Sequence, residues 1–318
     1  MTDTPGQTAM VFAPTPLLTI TVEPGVDEQP EIHLHAGGQG FWLARMLTTL
    51  GIGTTIAAPF GGETGFVLDR LIAAEGVQVR STGSAGANGA YIHDRRDGDR
   101  EPLVNVLPPV LTRHEVDELY SGALAVGLEA DVAVLGGPDT LGIAPPGTLP
   151  ADTYRRLTAD LRAVGVPVIA DLSGEPLTAA LAGGLTLLKV SHEDLVEDGR
   201  ADAEDPAALV KAMRAMADEG AESVVVSRAG DPALALIDGE VVEIEAPPLQ
   251  LQEHRGAGDS MTAGIAAALA RGRDLPDALR LGAAAGALNV TRRGLATGQR
   301  DVIESLAEHV RIRTVEGA

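Results

Sequence analysis

The chain has 318 residues, 45% of them hydrophobic and 22% charged, enough apolar material for a sizeable globular core. A net charge of −21 argues against a nucleic-acid surface, because phosphate backbones are held by clustered Lys and Arg. The lack of any cysteine excludes disulfides, thiolate metal sites and a cysteine nucleophile.

In chain order, residues 1–10 are polar and carry Pro and Gly, which predicts a loose start. Leu17–Val22 and Glu31–His35 read as short strands around the turn Pro24-Gly25. Gly37-Gly38-Gln39-Gly40 opens an apolar segment, Phe41–Leu50, whose spacing predicts a helix ended by Gly51. Thr54–Phe60 reads as a strand, and Gly65–Glu75 as an amphipathic helix closed by Gly76. Residues 88–106 hold two short apolar pieces around a charged turn, the pattern of a hairpin standing away from the main body. Thereafter apolar strands alternate with helices: strands at Asp131–Leu135, Val166–Asp171, Leu185–Val190 and Ser223–Ser227, helices at Thr153–Val164 and Asp205–Glu219. That alternation predicts a parallel sheet covered on both faces. Ala233–Ile237 and Glu240–Ile244 read as a hairpin across Asp238-Gly239. Helices are predicted at Ser260–Arg271, Pro276–Val290 and Val302–Val310.

No run approaches the roughly 18 apolar residues of a membrane span, and the first residues lack a basic-then-apolar signal, so a cytoplasmic protein is expected. The two lysines, Lys189 and Lys211, do not follow G-x-x-x-x-G, which excludes a P-loop. His33 and His35 share one strand face but have no clear third ligand for a metal.

The chemistry concentrates in His254-Arg255-Gly256-Ala257-Gly258-Asp259-Ser260, ahead of an Ala/Gly-rich helix. Glycines let backbone amides approach a ligand, and a helix N-terminus leaves those amides unpaired and positive, so the turn can hold a phosphate. A carboxylate beside it can take the proton of an attacking hydroxyl. The local string equally suits an Asp N-cap after a glycine turn. Asp171, Lys189 and Ser227 fall at or just past the C-terminal ends of predicted parallel strands, the edge where open α/β sheets bind ligands.

Several stretches resemble, in order, the ribokinase-like PfkB carbohydrate kinases, nearest the branch that phosphorylates hexose phosphates (1-phosphofructokinase and tagatose-6-phosphate kinase). They are Gly37-Gly38-Gln39-Gly40 with Ala44-Arg45 and Leu50-Gly51, then Pro145-Pro146-Gly147 with Tyr154, then Val168–Glu175, and finally Gly256–Met261 with Ala263-Gly264. The resemblance implies a three-layer α/β/α fold with a mostly parallel central sheet. It implies a single kinase domain over 1–318, with a small β-sheet lid formed by about 15–36 and 87–106. It implies Asp259 as catalytic base and the amides of Gly256, Ala257 and Gly258 as an anion hole. Lys189 would contact nucleotide phosphate, Ser227 matches the serine at the end of the nucleotide-side strand, and Mg²⁺ would bridge the phosphates, with Asp194 as a metal candidate; Arg255 stands where the family has a small residue and either adds positive charge near the ATP phosphates or is an exposed arginine. Many members pair through the lid, so a homodimer is implied.

Departures from the family pattern cluster on the acceptor side. Thr19 is aligned where the family carries an Asp, Gln39 replaces the signature lysine, Trp42 replaces an asparagine, and Ala87-Asn88 replaces a Thr-Arg pair. Gly37, Gly38, Gln39, Trp42, Thr19 and Asn88 are the expected acceptor-binding residues. Two readings remain at this point: phosphoryl transfer from ATP to a sugar or sugar phosphate, or a catalytically impaired kinase fold that binds a metabolite or a protein partner.

Overall fold

The computed structural model describes residues 6–25, 29–138, 147–249, 255–291 and 296–315. In chain order the elements are β1 (Thr8–Phe12), β2 (Leu17–Pro24), β3 (Pro30–Gly37), α1 (Gln39–Thr49), β4 (Gly53–Phe60), α2 (Gly62–Ala74), β5 (Gln78–Gly83), β6 (Ala90–Asp94), β7 (Glu101–Val106), α3 (Arg113–Gly127), β8 (Val132–Gly136) and α4 (Asp152–Ala163). They continue with β9 (Val168–Asp171), α5 (Gly174–Gly183), β10 (Leu187–Ser191), α6 (His192–Glu197), α7 (Pro206–Glu219), β11 (Ser223–Arg228), β12 (Asp231–Ile237), β13 (Glu240–Glu245), α8 (Ala257–Ala270), α9 (Leu275–Asn289), α10 (Arg300–Ala307) and β14 (Arg311–Thr314).

The large sheet runs β14-β13-β12-β11-β10-β9-β8-β1-β4-β5. Strands β5, β4, β1, β8, β9, β10 and β11 run parallel to one another in that order, and β12, β13 and β14 extend the β11 edge antiparallel. The parallel strands are apolar throughout because both faces are covered. One face packs on α1, α2, α8 and α9 through residues such as Leu43, Leu68, Ile265 and Leu281. The other packs on α3, α4, α5 and α7 through Leu119, Leu157, Leu177 and Met213. This is the expected three-layer, mostly parallel architecture.

A second, four-stranded sheet, β3-β2-β6-β7, holds the predicted 88–106 hairpin and the two early strands. Its register separates two chemistries. Ile20, Val22, Ile32, Leu34, Ile92, Val104 and Val106 share one face, while Thr19, Thr21, His33, His35, Tyr91, His93 and Asn105 share the other.

The predicted turn chemistry is visible. Gly51 (φ 83°) and Gly76 (φ 80°) follow the ends of α1 and α2, and the Asp238-Gly239 turn has both residues at positive φ, as a tight hairpin requires. Two predictions at the ends fail. Residues 8–10, expected within a loose start, belong to strand β1, hydrogen-bonded between β4 and β8 inside the large sheet. The last predicted helix stops at Ala307, and Arg311–Thr314 instead forms the edge strand β14, where Arg313 meets Glu245 of β13 at 3.1 Å.

Candidate active site

The strand edge, the start of α8 and the start of α1 converge on one buried set of polar groups. Asp171 ends β9 and Lys189 lies opposite it in register on β10. Both are buried, and Nζ of Lys189 approaches Oδ2 of Asp171 at 3.2 Å and Oδ1 at 3.4 Å. The Thr262 hydroxyl, one helical turn into α8, donates to the same Oδ2 at 2.8 Å. Burial disfavours a charged Lys189, but the carboxylates of Asp171, Asp259 and Asp194 outweigh it and hold the ammonium more firmly protonated than usual.

Asp259, half-buried, lies close enough to this pair for the charges of Asp171 and Lys189 to act on it. Gly256 caps α8 in the left-handed conformation (φ 75°), with no side-chain cap, which puts Asp259 in the first helical turn rather than at the N-cap. The Asp N-cap reading therefore drops out. The first-turn amides, at Ala257, Gly258 and Asp259, have no acceptor within the helix by position. Burial, reinforced by the charge of Asp171, pushes the Asp259 carboxyl up to about 7, while Lys189 and a hydrogen bond from the Gln39 side chain restrain it. A carboxylate tuned to that range is suited to accept a proton near neutral pH.

Helix α9 fixes the turn from behind. Gly264 of α8 and Gly282 of α9 meet so closely that a Cβ built on Gly264 would lie 2.7 Å from the Gly282 Cα. The Asn289 side chain, at the end of α9, donates to the Arg255 carbonyl at 2.8 Å. Beside it, Pro247, Leu249, Leu288, Val302, Leu306 and His309 line an apolar pocket of about 490 Å³.

The other sequence-predicted residues fall in different places. Gln39 opens α1, and its Oε1 accepts the Gly137 N–H at 2.6 Å, so it belongs with Asp259 as much as with any acceptor. Gly38 caps α1 at φ 98°. Gly37 packs against Thr19, whose Oγ1 would be 2.7 Å from a Cβ there, so these two share the polar face of the small sheet. Trp42 packs against the core and keeps partial exposure. Asn88 is buried and works as a joint: it donates to the Pro16 and Pro59 carbonyls (3.3 and 3.0 Å) and accepts the Gly61 N–H (2.9 Å). Ser227, at the end of β11, offers its carbonyl to Nδ1 of His192 at 3.2 Å. Asp194 closes a capping box with Ser191, and among the described residues its side-chain hydrogen bonds fall on Oδ2. Arg255 is exposed. His254, Pro145 and Pro146 lie outside the described residues.

The polar face of the small sheet carries a buried histidine within range of the charge of Arg255. His93 is fully buried there and is driven down to about 4, by burial first, then by Arg100 and Arg95, with Arg255 adding to the same effect. Sequence reasoning did not single out His93, because one histidine in a charged hairpin carries no spacing signal.

Among known proteins, the chain matches the pfkB family carbohydrate kinase description over residues 6–301. It is 28% identical over 295 residues to the ATP-dependent 6-phosphofructokinase isozyme 2 of Escherichia coli, covering 87% of this chain and 93% of that one. It is 26% identical over 278 residues to the 1-phosphofructokinase of Bacillus subtilis, covering 87% and 88%. Two solved structures of E. coli phosphofructokinase-2 superpose at 26% identity: a tetrameric inhibited form (TM-score 0.81, covering 95% of this chain and 99% of that one) and a complex with fructose-6-phosphate (TM-score 0.79, covering 96% and 98%). Among the described residues no helix is long and apolar enough to cross a membrane. The chain belongs to the pfkB family of carbohydrate kinases.

Proposed function

We propose that this kinase transfers the γ-phosphoryl group of ATP to a hydroxyl of a sugar or sugar phosphate, with Asp259 as general base. The observation that carries the reading is Asp259 itself: a carboxyl raised to about 7 in the first turn of a helix whose amides face the same space. As the acceptor oxygen bonds to the γ-phosphorus, its proton passes to the Asp259 carboxylate. The bond from phosphorus to the bridging oxygen breaks, and ADP leaves with that electron pair. The Gly256, Ala257 and Gly258 amides meet the charge on the transferring group, where fixed dipoles act without reorganising.

Lys189, sealed beneath Gly258, acts on this space as a buried positive charge, while Arg255 and Ser227 flank the phosphates. The apolar pocket beside Arg255 suits the nucleotide base. Mg²⁺ in such sites keeps several waters and takes one or two carboxylates besides the phosphates, so an all-protein cage is not required. Asp194 fits that modest role because Oδ1 is outside its capping box. When bound, the ion supplies charge neutralisation between the phosphates.

The acceptor lies between Gly37, Gly38, Gln39 and Trp42 and the polar face bearing Thr19, with Asn88 holding the small sheet to the body. Residues 15–36 and 87–106 act as the lid of the single domain. The relatives are named as phosphofructokinases, which makes a hexose phosphate the acceptor class to test first. The exposed apolar side of the lid takes a second copy of the chain. We place the reaction in the cytoplasm, in keeping with the cysteine-free sequence.

Asp259→Asn is the direct test, with fructose 6-phosphate, fructose 1-phosphate and unphosphorylated hexoses offered with MgATP. Turnover should fall by at least about a hundredfold, with the native fold retained. An Asn variant as fast as the parent would remove Asp259 from the reaction.

A further inference from the structure

We propose, on the reading of the Gly256, Ala257 and Gly258 amides as an anion hole, that Asn289 is a positioning residue for it. By holding the Arg255 carbonyl, Asn289 sets the direction of the Gly256 N–H on the same peptide.

Asn289 is the last residue of α9 and is fully buried. Its carboxamide is bonded on both sides: Nδ2 donates to the Arg255 carbonyl at 2.8 Å, and Oδ1 accepts the Thr297 N–H at 3.3 Å. A carbonyl only accepts and a backbone N–H only donates, so both partners fix the carboxamide the same way round. One side chain thereby ties the chain just ahead of α8 to the chain beyond α9.

The Arg255–Gly256 peptide is the one that needs such a hold. Its plane is rigid and trans, so the Arg255 oxygen and the Gly256 hydrogen point to opposite sides. Gly256 follows at φ 75°, and glycine changes the sign of φ at little cost, so this peptide can turn over where others cannot. The next carbonyl, of Gly256, is already held by Ser260, through its N–H at 2.9 Å and its hydroxyl at 2.7 Å. One turn before Asn289 on the same face of α9, a Cβ built on Gly286 would lie 3.0 Å from the Ala257 carbonyl oxygen. The first turn of α8 is therefore seated on α9, and the Asn289 bond orients the peptide that leads into it. With the Arg255 oxygen turned to Asn289, the Gly256 N–H faces away from the end of α9.

Two variants of nearly the same shape test this. Asn289→Leu removes the donor, and Asn289→Asp replaces it with a carboxylate that repels the Arg255 oxygen and accepts a reversed Gly256 N–H. Crystal structures of both should show the Arg255–Gly256 peptide reversed or split between two orientations. Kinetics with fructose 6-phosphate and MgATP should show kcat lowered by about tenfold or more, with each KM within about twofold of the parent. Binding of ADP with aluminium fluoride, a mimic of the transferring group, should weaken while ADP alone binds as before.

A residue that only fastened α9 to the core would not separate kcat from KM, or the mimic from ADP. A parental peptide orientation in both folded variants overturns the inference; if one variant fails to fold, the other decides. The crystal structures read the peptide whether or not fructose 6-phosphate is the acceptor. A reversed peptide with parental kcat leaves the hold by Asn289 standing and instead removes the Gly256 amide from the anion hole.

Discussion

Gly258 lies over the ammonium of Lys189, so closely that a methyl group built on Gly258 would meet the ammonium nitrogen, Nζ. The lysine cannot swing aside freely, because it is buried and paired with Asp171. The glycine is thus required by close approach, independently of the anion-hole role proposed for its amide. Gly258→Ala is expected to separate the turn from Lys189 and lower kcat by roughly tenfold or more, since a misplacement of about 1 Å at a reacting centre costs that much. Steady-state kinetics beside a thermal melt checks this; a fast, fully stable Ala variant would show that the turn has room to spare.

Asp259 also leaves a mark on stability. Its folded pKa, about 7, lies above the ordinary carboxylate value. The folded state therefore binds a proton that the unfolded state has lost. That advantage is complete below the unfolded pKa and disappears as pH rises through the folded one. Between about pH 4 and 7 the parent protein should lose stability relative to Asp259→Asn, which carries no titrating group there. The variant should melt a few degrees higher at pH 8, and the difference should close toward pH 4. A difference that is flat across this range contradicts a raised Asp259.

Much of this site is legible in the string Gly256–Asp259 and in the strand ends Asp171 and Lys189, because backbone turns and parallel-strand termini have local signatures. Side-chain direction does not. Gln39 reads as an acceptor residue, yet its side-chain oxygen takes the Gly137 N–H, a bond that only the placement of β8 against α1 reveals. Asn88 reads the same way and is spent on three bonds that join the small sheet to the body. In the fold, β1 was obscured because its burial comes from β4 and β8, distant in sequence. Helix α3 did have a local signal, the Thr112–Glu115 capping box, which the structure forms in full.

The α8–α9 contact should be intolerant of added volume. A Cβ on Gly264 meets Gly282 backbone at 2.7 to 3.0 Å, and backbone cannot rotate away. Gly264→Ala is expected to cost about 1–3 kcal/mol and to disturb the turn that α9 braces through Asn289. Denaturant unfolding measures the cost. An unchanged midpoint would mean that the two helices separate without penalty.

Ala229 offers the opposite case. It follows Ser227-Arg228 at the end of β11 and adopts φ 47°, where an L side chain crowds its own backbone. Ala229→Gly should relieve the strain, partly offset by the greater freedom of glycine in the unfolded chain, for a net gain of roughly 0.5–1 kcal/mol. A loss of stability on the same unfolding curve would show that the Ala229 methyl makes contacts worth more than the strain.

The outer face of the small sheet, the proposed lid, is the remaining surface to explain. Ile32 is 65% exposed, Val104 47%, Leu34 43% and Val106 43%, and all four point the same way across β3 and β7. A contiguous apolar face of this kind on one side of a sheet is normally covered, and its two edge strands are free to meet another sheet. A second copy of the chain presents the same surface, so a two-fold arrangement buries both at once. Leu34→Glu combined with Val104→Glu places four carboxylates in that shared interface and should convert the assembly to monomers in sedimentation velocity. The polar face, with Thr21 bonded to His93 at 3.1 Å, is left intact. Unchanged sedimentation in the double variant would exclude the lid as the contact between subunits, and the tetrameric form described for the E. coli relative would then direct the search to another face.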